Sequence, residues 1–152
     1  MQSDTVPTPM RGFVRQFKNG QPLDAGHNMV VDSAMELVLL ALLGQDNISR
    51  ILFANTGGSP ITSGQRTIIN PVGSVRTGQT QDTRPFITLD DGGLRTIGTW
   101  TAIWAPETTV TYDTVGLMSE NLLMAARTFA PVTLSSSDNI AVQWTLYMRG
   151  GQ

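Results

Sequence analysis

The sequence predicts a mainly β protein: an antiparallel β-sandwich, jelly-roll-like, with one buried helix near residues 33–43. Three observations carry that expectation. The segment from Ile140 to Arg149 alternates, with Ile140, Val142, Trp144, Leu146 and Met148 on one side and Ala141, Gln143, Thr145, Tyr147 and Arg149 on the other. That is the period of a strand with one face on a core, and it belongs to antiparallel sheets rather than to the doubly buried strands of α/β enzymes. Short runs rich in β-branched and aromatic residues recur between Gly, Pro and Asn punctuation, about eight of them, as in sandwiches and jelly rolls. Only one segment, residues 33–43, reads as a strong helix.

Taken in order, residues 1–10 are polar, carry Pro7 and Pro9, and read as an extended N-terminal arm. Residues 11–152 then form a single β-sandwich domain. Phe13 to Lys18 alternates weakly and is a short strand ahead of an Asn19-Gly20 turn. Asp32 or Ser33 caps the helix, Ser33 and Glu36 have capping-box spacing, and Gly44 follows as the stop. The run from Met35 to Leu43 is apolar on nearly every face, which predicts burial on most sides, inside the domain or between subunits.

Ile48 to Ala54 reads as a buried strand that ends in the turn from Asn55 to Pro60. Arg66 to Asn70 is a strand candidate stopped by Pro71. Gly73 to Arg84 is polar, has no aromatic residue, and reads as a long loop; connections of that length are usually functional or ordered by a partner. Pro85 to Leu89 is a short strand before the hairpin-type turn Asp90 to Gly93. Leu94 to Trp104 is a long strand, broken at Pro106-Glu107. Further strands lie within Thr108 to Met118 and Leu122 to Phe129.

Charged residues make up only 14% of the chain, against about 25% in a typical soluble domain. The net charge is −2, and Lys18 is the one lysine beside nine arginines. Arginine is favoured at protein interfaces; a biased genome composition gives the same count. The arginines are scattered singly, so no nucleic-acid partner is expected. Residues 1–10 have no basic start and no apolar run, and the longest apolar stretch contains Glu36 and is far short of a bilayer span, so neither a secretory signal nor a membrane segment is expected.

Chemistry-bearing residues are sparse. The chain has no cysteine and one histidine, His27. Its nearest grouping with carboxylates, Asp24, His27 and Asp32, precedes the helix and reads as capping or loop residues rather than a metal site. No G-x-S-x-G elbow occurs, and Gly57-Gly58 and Gly92-Gly93 read as turns rather than phosphate cradles. Asp90-Asp91 offers too few oxygens for a hard cation. No catalytic residue, cofactor or metal is expected. Trp100 and Trp104 share one face of their strand and Trp144 lies on the apolar face of the last. A core cluster is the simplest reading, and an exposed aromatic row that stacks on sugars is the alternative. The strand from Leu94 to Trp104 is apolar on both faces, which predicts a cover on both, from the helix or a neighbouring subunit.

Three motifs carry a family resemblance. Asn28-Met29-Val30-Val31-Asp32 leads into the apolar helix. Ile51 to Gly58 runs a strand into a Gly-rich turn. Val115-Gly116-Leu117-Met118 is followed by Met124 to Pro131 (MAARTFAP) and an alternating strand with Trp144-Thr145. In this layout the chain resembles small virion structural proteins of tailed bacteriophages, the cement, decoration and minor tail components. The acidic residue usual before G-L-F in such proteins is absent; Asp113-Thr114-Val115 stands there instead. The resemblance implies a phage particle component, and the first reading of it is a capsid cement protein on the virion surface, assembled in the host cytoplasm. Such a protein binds the outside of the head, bridges major capsid protein subunits, and pairs with itself as a homodimer or other symmetric oligomer. The expected contacts are Val6, Pro7, Pro9 and Arg11 from the arm and Val75, Arg76, Thr77 and Arg84 from the polar loop. The alternatives are a tail or tail-fibre module and a carbohydrate-binding β-sandwich.

Overall fold

The computed structural model describes residues 10–44, 47–81, 94–120 and 122–149. In chain order the elements are β1 (Met10–Lys18), β2 (Gln21–His27), β3 (Met29–Val30), α1 (Ser33–Leu42), β4 (Arg50–Ala54), β5 (Pro71–Arg76), β6 (Gly78–Gln81), β7 (Leu94–Trp104), β8 (Val110–Met118), β9 (Leu123–Leu134) and β10 (Ile140–Arg149). They form two five-stranded sheets, ordered β2-β1-β10-β7-β6 and β3-β9-β8-β4-β5. Every pairing is antiparallel. The mainly β, antiparallel sandwich is therefore as the sequence predicts. Its pairs are nested, β1 with β10, β3 with β9 and β4 with β8, but the second and third of these lie side by side in one sheet. That adjacency departs from the alternation of a jelly roll.

Local chemistry explains the first hairpin. Lys18 pairs with Gln21 across a two-residue loop, and both loop residues have positive φ, 50° at Asn19 and 80° at Gly20. That is the combination a type I′ turn requires, and Asn-Gly supplies it at least strain. The chain then changes sheets twice, once at each side of the sandwich. Asn28 alone separates β2, at the edge of the first sheet, from β3, at the edge of the second; Thr77 alone separates β5 from β6 at the opposite side. Asn28 N–H donates to the Gly12 carbonyl and Thr77 N–H to the Ser49 carbonyl. At the first corner the Asn28 carboxamide oxygen accepts from Trp144 Nε1 at 3.0 Å. A Cβ on residue 12 would overlap the Asn28 side chain, so the close approach needs Gly12.

One core lies between the sheets. The first contributes Val14, Trp100, Ala102, Ile140, Val142, Trp144 and Leu146; the second contributes Ile51, Phe53, Tyr112, Val115 and Leu117. The rings of Phe53 and Trp104 stack at 4.3 Å, and Tyr112 meets Phe53, Trp104 and Phe129 edge-on. A second cluster covers the outside of the β3-β9-β8-β4-β5 sheet, where Val31, Ala54, Ile68, Met118, Leu123 and Ala126 pack together. Strand β8 is consequently buried on both faces from Tyr112 to Met118.

Several expectations need correction. The helix is buried on one side only. Ala34 and Leu37 join the core, while Met35, Leu39 and Leu43 are 51%, 61% and 69% exposed. The reason is that, among the described elements, β9 is the one that α1 chiefly packs against. Nor does its capping box form, because Ser33 Oγ donates to the Leu123 carbonyl and Glu36 pairs with Arg66. Residues 66–70 are not a strand, and Pro71 opens β5 instead of ending an element. Residues 73–81 of the expected polar loop are strand β5, Thr77 and strand β6. Strand β2 falls where no strand was predicted. Strand β9 continues past Phe129 to Leu134; its Pro131 sits at an irregularity in the pairing with β8, where no ladder donor is required. Residues 1–9, the expected short strand at 85–89 and the turn at 90–93 lie outside the described residues.

The two sides of α1 should respond differently to truncation. Leu37→Ala is expected to lower unfolding free energy by about 2–5 kcal/mol. Leu39→Ala is expected to stay within about 0.5 kcal/mol of wild type. Chemical denaturation followed by tryptophan emission checks both, and a large loss at Leu39 would contradict the one-sided packing.

Candidate interaction surfaces and their internal bracing

The residues expected to make contacts fall at different places in the fold. Arg11 lies in β1 and is exposed. Its strand sits between β2 and β10, with Arg11 opposite Tyr147. Val75 and Arg76 lie in β5, the edge of the second sheet, and Thr77 is the corner into β6. Arg76 is exposed and reaches Glu120 at 3.1 Å; Arg50 holds the same carboxylate at 2.8 Å. Val6, Pro7, Pro9 and Arg84 lie outside the described residues. The structure thus places Arg11 and residues 75–77 in different sheets, on separate strands.

The tryptophans belong to the scaffold. Trp100 is 5% exposed and Trp144 fully buried, and Trp104 is partly covered by its stack on Phe53. No tryptophan ring stands clear in solvent, so the sugar-stacking row weighed for Trp100 and Trp104 is not formed.

Polar side chains inside the molecule tie one element to another. Asp113 is buried in β8 and accepts from the Thr56 N–H at 2.8 Å, the Gly58 N–H at 2.9 Å and the Thr56 hydroxyl at 3.0 Å. The Thr114 hydroxyl adds a further bond at 3.0 Å. Burial pushes the Asp113 carboxyl up, but these donors outweigh it and hold the group below the usual carboxylate range. The turn after β4 is thereby fixed onto β8.

A second brace runs between the sheets. The Tyr112 hydroxyl of β8 donates to Gln16 Oε1 of β1 at 2.8 Å, and Gln16 Nε2 donates to Asp24 Oδ2 of β2 at 3.3 Å. Arg127 of β9 closes the chain with a bidentate pair to Asp24, 2.8 Å from Nε and 2.8 Å from Nη2. Arg127 also donates to the Ala25 and His27 carbonyls. The Arg127 hydrogen bond holds the Asp24 carboxyl below its usual range despite partial burial. Burial, and then the Asp24 charge, push the Tyr112 phenol well above its ordinary value. Tyr112 therefore stays a neutral donor at physiological pH.

Asp24 is taken up by Arg127, and the His27 ring stands edge-on to Phe13 at 5.3 Å. The Asp24, His27 and Asp32 grouping is thus dispersed. No group of three or more candidate metal ligands is found among the described residues, and no helix among them is long and apolar enough to cross a membrane. Sequence reading missed both braces. The only local hints were Gln16, a polar residue in line with inward Val14 of β1, and Asp113, a carboxylate inside the fully buried stretch of β8.

Two measurements address the braces. Tyr112→Phe leaves the buried Gln16 oxygen without its donor and is expected to cost about 1–3 kcal/mol in urea unfolding. Acid should act through Asp24 and Asp113. Both have folded-state pKa values below the unfolded value, so the stability they contribute is present above about pH 4 and is lost as pH falls through their folded values. Thermal melts are expected to drop below about pH 4, with a shallower drop in Asp113→Asn. An identical acid profile in Asp113→Asn would contradict the clamp.

The chain matches no protein-family model, no curated protein and no solved structure.

Proposed function

We propose that this chain is a structural component of a tailed-bacteriophage particle, a cement protein that binds the outside of the head and bridges major capsid protein subunits. One observation carries the reading. The motifs that resemble such proteins are far apart in sequence, yet all but the closing strand with Trp144-Thr145 meet in one sheet. Met29 and Val30 pair with Ala126 and Ala125. Those two alanines pair on their other side with Gly116 and Leu117. Gly116 and Leu117 in turn pair with Leu52 and Ile51. The turn that follows Ile51–Ala54 is the one clamped by Asp113, directly ahead of the V-G-L-M element. The shared pattern, that strand apart, is thus a single contiguous piece of architecture.

The physical character of the molecule supports the same reading. Its interior polar groups brace strands and turns against one another. A shell stabiliser works through many weak contacts repeated by symmetry, and an internally braced block suits that task. Self-pairing into a homodimer or another symmetric oligomer belongs to the same proposal.

Quantitative mass spectrometry of purified particles of the phage encoding this chain tests the reading. Hundreds of copies per particle are expected for a head component. A handful of copies would favour a tail or fibre module, and no copies would overturn the proposal.

A further inference from the structure

The two outer faces of the sandwich differ. The β3-β9-β8-β4-β5 sheet is covered by its own chain, through Val31, Ile68 and the residues packed with them. The outer face of the β2-β1-β10-β7-β6 sheet has no such cover among the described residues. Burial alternates along residues 11–17 of β1, 98–103 of β7 and 140–147 of β10, so the side chains on this part of the face can be assigned.

Cross-strand neighbours make the face both apolar and basic. Phe17, Ala141 and Ile103 line up across β1, β10 and β7, and Ile103 is 69% exposed. Beside them Arg15, Gln143 and Thr101 form the next row, and a depression of about 450 Å³ opens at the Phe17, Ile103, Thr101 and Gln143 end of the rows, with Arg76 of β5 at its rim. Arg15 lies over the Phe13 ring, 5.5 Å from its centre, a cation–π contact. Arg11, further along β1, is exposed beside Tyr147. Neither Arg11 nor Arg15 pairs with a carboxylate among the described residues.

No carboxylate occupies an outward position of β1, β7 or β10. Of the seven described acids, Asp32 and Glu107 are exposed in the connections before α1 and after β7, and the other five are engaged elsewhere. Asp24 is held by Arg127, Asp113 is buried in its clamp, and Glu36 and Glu120 are paired with arginines. Asp138 lies near Lys18 in the β9–β10 turn. A chain of net charge −2 thus has, among the described residues, arginines and no acid on the outward positions of these three strands.

We infer that this face, centred on Arg11, Phe13, Arg15, Phe17 and Ile103, is the docking surface for a partner protein whose own surface sets carboxylates among apolar side chains. Charge complementarity selects the partner's sign, and a second copy of the same face would repel. An arginine laid over an aromatic ring, as Arg15 is over Phe13, loses little freedom on binding and can grip a carboxylate bidentately. The inference deepens the proposed function and rests on it in one respect, that the acidic partner is the capsid surface.

The test separates the two ideas. Purified chain is co-sedimented with expanded heads lacking it, beside R11E/R15E and the helix control Leu39→Lys, each checked for native tryptophan emission. The expected result is wild-type binding that weakens with salt, falls about tenfold or more in R11E/R15E, and is unchanged in Leu39→Lys. Binding that survives R11E/R15E, or is lost in Leu39→Lys, overturns the face while the cement function stands. A second arm uses poly-L-glutamate as probe at low salt, read by NMR signals from β1 and β10. Perturbation of those signals, abolished in R11E/R15E, supports the face even where heads are not bound, an outcome that overturns the cement function instead. No perturbation, or tighter binding to duplex DNA than to polyglutamate, overturns the acidic protein partner.

Discussion

Tyr112 joins the two sheets twice over. Its ring fills the core between Phe53, Trp104 and Phe129, and its hydroxyl reaches across to Gln16 on the opposite sheet. Beyond Gln16 the link continues through Asp24 to Arg127 and so returns to the sheet it left. An apolar core alone fixes the spacing of two sheets but tolerates sliding between them. A buried hydrogen bond at the centre and a bidentate ion pair at one side specify a single alignment, because any slip leaves desolvated polar groups unpaired.

The corners depend on that alignment. A single residue carries the chain between sheets at each side, Asn28 on one and Thr77 on the other. So short a crossing is possible only if the edges of the two sheets face each other closely. The edge strands then act as straps, and at Asn28 the strap is pinned to the core through Trp144. Within the second sheet the Asp113 clamp serves the same end, fixing a turn that would otherwise be free to reorient. Stability is thus supplied from within, and the described residues lay no cover over the outer face of the first sheet.

Some of this was legible in the sequence. Strands β7 and β10 and the Asn19-Gly20 turn were readable because their signals are local: alternation, β-branched content and turn chemistry. The helix boundaries were readable from Ser33 and Gly44, but its burial was not, since an all-apolar helix shows no preferred face and the number of its neighbours is a tertiary property. Strands β2 and β5 carry Pro and Gly and few β-branched residues, so their propensity is weak; they form because β1 and β4 offer them a ladder. The inter-sheet brace was illegible for a plainer reason. It joins Arg127 to Asp24 and Tyr112 to Gln16, partners 103 and 96 residues apart. The bare face of the first sheet was partly foreshadowed. The strand from Leu94 to Trp104 is apolar on both sides, yet the helix that was one candidate for its second cover lies against β9 in the other sheet.

Native-state hydrogen exchange tests most directly whether the two sheets form one locked unit. Amides of β1 and β10 in the first sheet and of β8 and β9 in the second should open together, with a common free energy equal to that of global unfolding. Exchange of one sheet at a markedly lower free energy than the other would contradict the account, because it would mean that the core and the Tyr112 relay do not hold them as a unit.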